Sequence, residues 1–472
     1  MNKIMIFGKD IEDIGFIFLC ILSSFFLFIY DPYDIYLPFV CKSPILYVSS
    51  ITLLFLMYLK CNIQKEGEVN ILPNKAAAIY AALILISSFF SKYQELVYFG
   101  HMQRLEGCLA LLSYIIIYFA ALNLIKTKRI YALLHTLLAS SSIVALIGVL
   151  EFYGHNPFMQ AFKVIRKGFN YKGAIYSTIG NQNFIGSLMC LALLLSMILF
   201  ILGKNKLHKS FFFIYSLCLY SGLIVTRTRS AWIGTFLGSG ILLFILLRHK
   251  MLIKVWKSVI LVAICFTVIT FSISITSEGR IGNKFLGIFK DFIVVAQGSE
   301  DIEQLGSNRI YIWKNSIPLL REYYLIGSGP DTFSRVFPQN QEAHKRIFGN
   351  PDITIDKAHN EFIQIGVTTG IFSLFAYLSF ICMIIYSNGK VISKLNLSNT
   401  YDIIILATGI GCAGYILQSF FNISVVAVAP IYWMVIGLNQ NLLFKFNQDT
   451  LFIEDIKKEQ FTNENIEEYA QI

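Results

Sequence analysis

The chain is poor in charge: only 14% of its 472 residues are Asp, Glu, Lys or Arg, while 56% are hydrophobic. This balance excludes an ordinary soluble globular protein and favours an integral membrane protein. The nine cysteines are scattered singly and indicate neither a disulfide framework nor a zinc site. The sequence also lacks a DxD motif, a P-loop, a GxSxG elbow and a dinucleotide fingerprint. Metal-assisted nucleotide-sugar transfer and ATP-driven work are therefore unsupported, and no metal or cofactor is expected.

Long apolar runs take the place of the missing charge. Twelve segments approach the ~20 residues that a helix needs to cross a bilayer. They predict an all-α polytopic membrane protein with about 12 transmembrane helices and a large extracytoplasmic loop between helices 9 and 10. One membrane domain, residues 1–445, is expected, with loop 276–358 inserted and a polar cytoplasmic tail at 446–472. The predicted spans are 14–30, 44–60, 76–92, 107–125, 130–152, 184–203, 211–226, 230–247, 255–275, 359–386, 402–420 and 424–444.

Lys and Arg are unevenly distributed between the two predicted sides of the membrane. Seventeen lie in the short segments on the side of the N-terminus, against nine in the short loops opposite. This asymmetry predicts that both termini are cytoplasmic. The net charge of +10 is then chiefly a topology signal, with lipid headgroups as further contacts. Because the cations are dispersed among the spans, nucleic acid is not an expected partner.

The candidate chemistry lies on the opposite, extracytoplasmic side. His359 begins the tenth predicted span; such a residue is most often an interfacial side chain, but its pKa near ~6.5 also makes it a candidate general base. Arg227 and Arg229 flank the turn between spans seven and eight, where arginines bind phosphate or diphosphate groups in a fork. On one helix they would point ~200° apart, so only an unwound turn aims both at one ligand. Arg309 and Arg104 add cations on the same side.

Polar residues near these cations are candidate substrate contacts. Asn181 and Asn183 precede span six, either as turn caps or as a polar lip that binds a sugar or diphosphate. Asn360 follows His359 and is a candidate to orient the imidazole. Within the large loop, residues 306–308 predict a helix start, and Pro318 predicts that this helix kinks or ends.

Taken together, these motifs resemble those of the O-antigen ligase and polymerase family of bacterial membrane glycosyltransferases. They follow the family's order over roughly 270 residues, although Ser373 stands where the ligases often have a second glycine after Gly370. The matching pieces are Arg104-Leu105-Glu106-Gly107, Gly180 to Asn183, Thr228 to Trp232, Arg309 to Trp313, Gly327 to Phe333, and His359-Asn360 with Gly370 ten residues after Asn360.

The resemblance implies an inner-membrane enzyme that moves glycan from a polyprenyl diphosphate carrier to an acceptor hydroxyl or amide, without metal and with inversion. By motif, Arg229 and Arg309 are the essential arginines and His359 the catalytic histidine, with Arg227, Arg104 and the amides as candidate substrate contacts. The alternatives are a polymerase that joins repeat units on the carrier, a transporter or flippase of lipid-linked glycans, and a structural scaffold. The expected partners are the lipid-linked donor, a glycan, lipid or protein acceptor, and the bilayer.

Overall fold

The computed structural model describes residues 5–6, 9–30, 38–63, 71–155, 175–287, 303 and 305–469. Within this part, strands are limited to one antiparallel pair, β1 (Met5–Ile6) with β2 (Lys9–Asp10). The helices are α1 (Ile11–Ser23), α2 (Phe25–Phe28), α3 (Pro38–Ile63), α4 (Leu72–Phe90), α5 (Gln94–Val97), α6 (Cys108–Asn123), α7 (Thr127–Phe152), α8 (Gln182–Leu202), α9 (Lys206–Thr226), α10 (Arg229–Arg248), α11 (Leu252–Thr276), α12 (Leu305–Glu322), α13 (Phe333–Val336), α14 (Gln341–Phe348), α15 (Glu361–Thr369), α16 (Ile371–Ile392), α17 (Thr400–Ser419) and α18 (Ala429–Tyr469).

Ten candidate membrane spans in the described part are long and apolar enough to cross a bilayer. They are α1 together with α2, then α3, α4, α7 to α11, α16 and α17. The shorter α6 coincides with the fourth predicted span, and the buried start of α18 with the twelfth. The predicted class, an all-α polytopic membrane protein, is confirmed, whereas the count of twelve stays a prediction. Helix α18 also runs without a break through the predicted start of the polar tail at residue 446.

The tenth predicted span, 359–386, is wrong as a single helix. Gly370 has φ 90° and ψ 168° and separates the nine-residue α15 from α16. Only glycine adopts this conformation readily, and a Cβ there would lie 2.5 Å from the Leu325 carbonyl oxygen. The backbone of Gly327 and Ser328 lies against the same break, since Ser328 N donates to the Val367 carbonyl at 3.0 Å. The apolar run therefore forms a short helix, α15, and a separate span.

Helix α8 is the centre of the bundle. Its apolar 18-residue stretch is completely buried, as expected for a helix that is hydrophobic on every side. It packs against α9, α10 and α17. Small residues allow close approach, since a Cβ on Gly234 of α10 would lie 2.6 Å from the Gly414 carbonyl oxygen of α17. This packing fixes the first residues of α8 and α10 at one end of the bundle.

Near its start, helix α12 changes from a left-handed to a right-handed backbone conformation. Residues 306–308 all have positive φ, at 61°, 62° and 67°, so the right-handed helix begins at Arg309. The predicted helix start therefore agrees with the structure. Pro318, which was predicted to kink or end the helix, lies inside it and does not end it, because the helix continues to Glu322. Of the large predicted loop, residues 288–302 and 304 lie outside the described residues, as do residues 156–174 of the loop before α8.

Candidate functional site

A polar cavity of about 200 Å³ lies where the ends of α8, α9 and α10 meet the start of α12 and the loop before α15. We call it the cationic cavity, because four of its lining residues are Arg or Lys and none is Asp or Glu. Its lining is Gln182, Asn183, Arg227, Thr228, Arg229, Lys284, Ser307, Arg309, Ile312, Phe348 and His359.

Arg227 and Arg229 reach this cavity from the turn that joins two helices, α9 and α10. Arg227 ends α9 in the left-handed conformation, with φ 53° and ψ 26°, and Arg229 begins α10. The hydroxyl of Thr228, which lies between them, donates to the Gln182 carbonyl at 3.0 Å. This hydrogen bond attaches the turn to the start of α8. The unwound turn that the sequence required is therefore present, and both arginines line the same cavity.

Arg309 enters the cavity at the first residue of the right-handed part of α12. Burial lowers the pKa of its guanidinium to about 10, and the charge of Arg229 acts in the same direction. The two cations therefore lie close together in a partly dehydrated place. A helix N-terminus adds free backbone N–H groups and the positive end of the helix dipole. An anion bound here would relieve the repulsion and satisfy these donors.

His359 faces the same cavity in a strained backbone conformation, with φ 50°. Its Nδ1 atom is buried and has no hydrogen-bond partner among the described residues. Burial lowers the pKa of the imidazole to about 4; Arg309 lowers it further, and Asp356 opposes the shift. The ring is therefore neutral near pH 7, with a lone pair available to take a proton.

The backbone on both sides of His359 is held by side chains from other elements. Trp313 Nε1 donates to the Ala358 carbonyl at 3.0 Å, and the Ala358 N–H donates to Gln364 Oε1 at 2.9 Å. Asn360 Oδ1 accepts the N–H groups of the first turn of α15, both at 3.0 Å. Asn360 Nδ2 donates to the Phe420 carbonyl, also at 3.0 Å. Such a scaffold can maintain a left-handed histidine, which costs energy by itself.

A buried group of charges, the carboxylate–lysine network, anchors the residue two positions before His359. Lys357 Nζ donates to Asp331 Oδ1 at 2.7 Å and to Glu106 Oε2 at 3.1 Å. Asp331 Oδ2 in turn accepts the His101 N–H at 2.7 Å. Burial alone would lower the pKa of Lys357, but the two carboxylates raise it above its usual range. Three separated motifs of the sequence thus meet in one fully paired network.

Three of the predicted substrate contacts have other roles in the structure. Arg104 Nε donates to Asp356 Oδ2 at 2.6 Å, and its guanidinium lies 5.6 Å from the centre of the Phe184 ring. Asn181 is the N-cap of α8, where its side chain accepts the Asn183 N–H at 2.8 Å. Asn360 is the N-cap of α15 and does not line the cavity. Only Arg227 and Asn183 of the predicted contacts line it.

Sequence reasoning missed Lys284 and Ser307, which also line the cavity, whereas Gln182, another lining residue, belongs to the predicted polar lip before α8. Lys284 is one of ten cations in the large loop and belongs to none of the matching motifs, so only the fold identifies it. Asn422 was missed too. It donates to the Asn183 carbonyl at 3.1 Å and to Ser187 at 2.9 Å, and so positions the first turn of α8.

An apolar cavity of about 610 Å³ lies among α8 to α11, and some of its lining residues are close in sequence to those of the cationic cavity. Trp232, three residues after Arg229, and Phe285, next to Lys284, both line it. Their rings lie 6.2 Å apart at the junction. The rest of the lining is mostly aliphatic and aromatic side chains from the membrane spans. The first residue of α10 therefore lines the cationic cavity, and residues from Trp232 onward line the apolar cavity.

Comparison with known families decides the class. Residues 211–378 match a family model described as O-Antigen ligase. This match supports the resemblance of the chain to the O-antigen ligase and polymerase family. The matched segment contains Arg227, Arg229, Arg309 and His359, whereas Arg104 and the two asparagines before α8 lie outside it. No curated protein matches the chain. The O-antigen ligase match and the ten candidate spans together support a multi-pass membrane protein that is similar to the O-antigen ligases.

Proposed function

We propose that this O-antigen ligase-type protein transfers a glycan from a polyprenyl diphosphate to an acceptor hydroxyl or amide at the outer face of the bacterial cytoplasmic membrane. One observation carries the proposal: residues of α10 line both the cationic cavity, where the buried Nδ1 of His359 has no hydrogen-bond partner among the described residues, and an apolar cavity between membrane spans. A polyprenyl diphosphate has the same order of parts, an anionic head joined to a long apolar tail. The excess of Lys and Arg in the short segments on the side of the N-terminus supports a cytoplasmic position for both termini.

The donor's diphosphate binds in the cationic cavity. Arg229 and Arg309 carry the recognition, because guanidinium groups bind phosphate oxygens in pairs, and Arg227 adds a third cation. The isoprenoid tail enters the apolar cavity past Trp232 and Phe285. The same cations stabilise the negative charge that grows on the diphosphate as it leaves, so the reaction proceeds without a metal ion.

His359 is the general base. Its neutral imidazole takes the proton of the acceptor hydroxyl or amide while the acceptor atom attacks the anomeric carbon. The bond between that carbon and the diphosphate oxygen breaks, and its electron pair leaves with the polyprenyl diphosphate. Attack from the face opposite the leaving group inverts the anomeric centre. Asn360 supports this step by fixing the backbone, because its amide is committed to main-chain groups.

The test uses purified protein in lipid nanodiscs, a polyprenyl-diphosphate oligosaccharide and a panel of glycan, lipid and protein acceptors. We expect sugar to leave the carrier with inverted anomeric configuration, in the presence of EDTA. Sugar on a different molecule identifies a ligase, and longer chains on the carrier identify a polymerase. An intact donor that only changes membrane leaflet would contradict the proposal and favour a transporter.

A further inference from the structure

A second polar cavity, of about 250 Å³, is lined in part by Thr354 and Asp356, which precede His359 in the same loop. It is formed by the loop before α6, the start of α13 and the segment before His359, and its lining includes His101, Gln103, Arg104, Ser334, Thr354 and Asp356. We propose that this cavity binds a sugar ring of the acceptor. We call it the acceptor cavity, and the inference rests on the proposed transfer reaction.

The acceptor cavity has the hydrogen-bonding groups that a neutral polyhydroxylated ligand requires. The side chains of Gln103, Ser334 and Thr354 make no hydrogen bond to any other described residue, although all three line the cavity. Asp356 uses Oδ2 for Arg104, which leaves Oδ1 as a further acceptor. Together they offer amide, hydroxyl and carboxylate groups within one small space.

The charges that line the acceptor cavity favour a different kind of ligand from the anionic donor. The cationic cavity is lined by four Arg or Lys residues, whereas the acceptor cavity contains the carboxylates of Asp331 and Asp356. Lys357 neutralises Asp331 and Arg104 neutralises Asp356. The cavity therefore lacks both the excess of positive charge that favours a diphosphate and the excess of negative charge that favours a metal cation. A neutral sugar, which both donates and accepts hydrogen bonds, fits this balance.

The size and position of the cavity also fit an acceptor. Its volume is below the ~300 Å³ at which pockets for drug-sized ligands begin, so it suits one sugar ring better than a long chain. Asp356 is three residues from His359, which keeps their Cα atoms within ~11 Å even in an extended chain. Arg104 links the two sites as well, because it also contacts Phe184, the neighbour of Asn183 in the cationic cavity.

Tryptophan substitutions test the proposal kinetically. Gln103→Trp and Thr354→Trp each place a bulky ring in the cavity, whereas Met102→Trp and Ile353→Trp place it on an exposed neighbour outside the lining. We expect the first pair to raise the acceptor KM by about tenfold or more, because the site's hydrogen bonds are lost. Binding of polyprenyl diphosphate alone should be unchanged in all four variants. An unchanged acceptor KM in the first pair, or weaker polyprenyl diphosphate binding, would overturn the proposal.

A photo-crosslinking experiment needs no turnover and so separates this proposal from the proposed function. The photoreactive residue p-benzoylphenylalanine replaces Gln103 or Thr354, and Met102 or Ile353 in the controls, and cells that contain their own envelope glycans are irradiated. We expect sugar-containing adducts at the first two positions and none at the controls. Absence of sugar at positions 103 and 354 overturns the acceptor cavity even where transfer is confirmed. If sugar adducts form in a protein that shows no transfer, the cavity binds a glycan but the proposed transfer reaction is wrong.

Discussion

The loop before α15 contributes Lys357 to the carboxylate–lysine network and, two residues later, His359 to the cationic cavity. The charges in these two places are arranged in opposite ways. In the carboxylate–lysine network, Lys357 is paired with Glu106 and Asp331, and all three are buried. In the cationic cavity, Arg229 and Arg309 approach each other, and the pKa of Arg309 is lowered chiefly by burial and further by the charge of Arg229. The network brings opposite charges together, whereas the cavity brings like charges together.

Whether a charged side chain is paired within the protein distinguishes residues that hold the fold together from residues that can bind a substrate. A buried charge that finds all its partners within the protein has no capacity left for a substrate. Clustered like charges and an unpartnered buried imidazole are instead typical of functional sites. Arg104, which pairs with Asp356, therefore belongs with the scaffold and the acceptor cavity, whereas the like charges of Arg229 and Arg309, which line the cationic cavity, belong with the proposed donor site.

The largest effect is expected on the cationic side of the comparison. The double variant Arg229→Gln, Arg309→Gln should weaken binding of polyprenyl diphosphate by ~10²- to 10⁴-fold, because each hydrogen bond between charged groups contributes about 1.5–3 kcal/mol. Thermal stability should stay the same or rise, since a repulsion is removed. Titration calorimetry in nanodiscs measures the affinity, with the exposed Arg335→Gln as the control. An unchanged affinity would remove the arginines from donor recognition.

On the paired side, Lys357→Met should reduce stability instead of affinity. It leaves Glu106 and Asp331 buried without their cation, which typically costs ~3–5 kcal/mol. Thermal unfolding in detergent measures the loss. Lys345→Met, an exposed cation on α14, is the matched control and should have little effect. Equal unfolding temperatures for the two variants would show that the network does not support the fold.

The pH dependence of transfer distinguishes the buried imidazole from an ordinary one. Because the pKa of His359 is lowered to about 4, the base is neutral in the free enzyme from pH 5 upward. The value of kcat/KM should therefore be flat from pH 7 to pH 5, where an unshifted histidine with pKa ~6.5 would lose about 30-fold. Bound diphosphate favours the charged ring, so the acid limb of kcat should lie at higher pH than that of kcat/KM. An acid limb of kcat/KM near pH 6.5 would contradict this environment.

The smallest effect concerns the cap that precedes α15. Asn360→Ala removes an N-cap, which costs about 1 kcal/mol of stability. Asn340→Ala removes the equivalent cap of α14, where the side chain accepts the Ala343 N–H at 3.1 Å. We expect similar losses of stability from the two variants, but reduced transfer only from Asn360→Ala, since it alone adjoins His359. Equal transfer rates would show that α15 does not position the base.

Much of the fold follows from the sequence because apolar runs of membrane length form helices in hydrocarbon. Each of the twelve predicted spans overlaps a helix. The break at Gly370 was missed because the apolar pattern continues across it, and glycine is tolerated inside membrane helices. The cause is a tertiary contact, the approach of Leu325 and Gly327 to this residue.

Some residues of the candidate site could also be identified from the sequence, and others could not. His359, Arg227, Arg229 and Arg309 were identified because cations and a histidine are rare at the ends of apolar runs, and the structure brings all four to one cavity. The role of Arg104 was missed because its partner Asp356 lies 252 positions away in the sequence. Ion pairs at that separation depend on the three-dimensional fold and have no local signal.

The most direct test of the account compares donor binding with transfer in His359→Ala. The arginines remain in place, so the Kd for polyprenyl diphosphate should stay within about threefold of the parent value, a sign that ground-state binding is intact. Removal of the general base should lower the transfer rate by ~10²- to 10⁴-fold. A folded His359→Ala protein that transfers glycan at the parent rate would contradict the central claim.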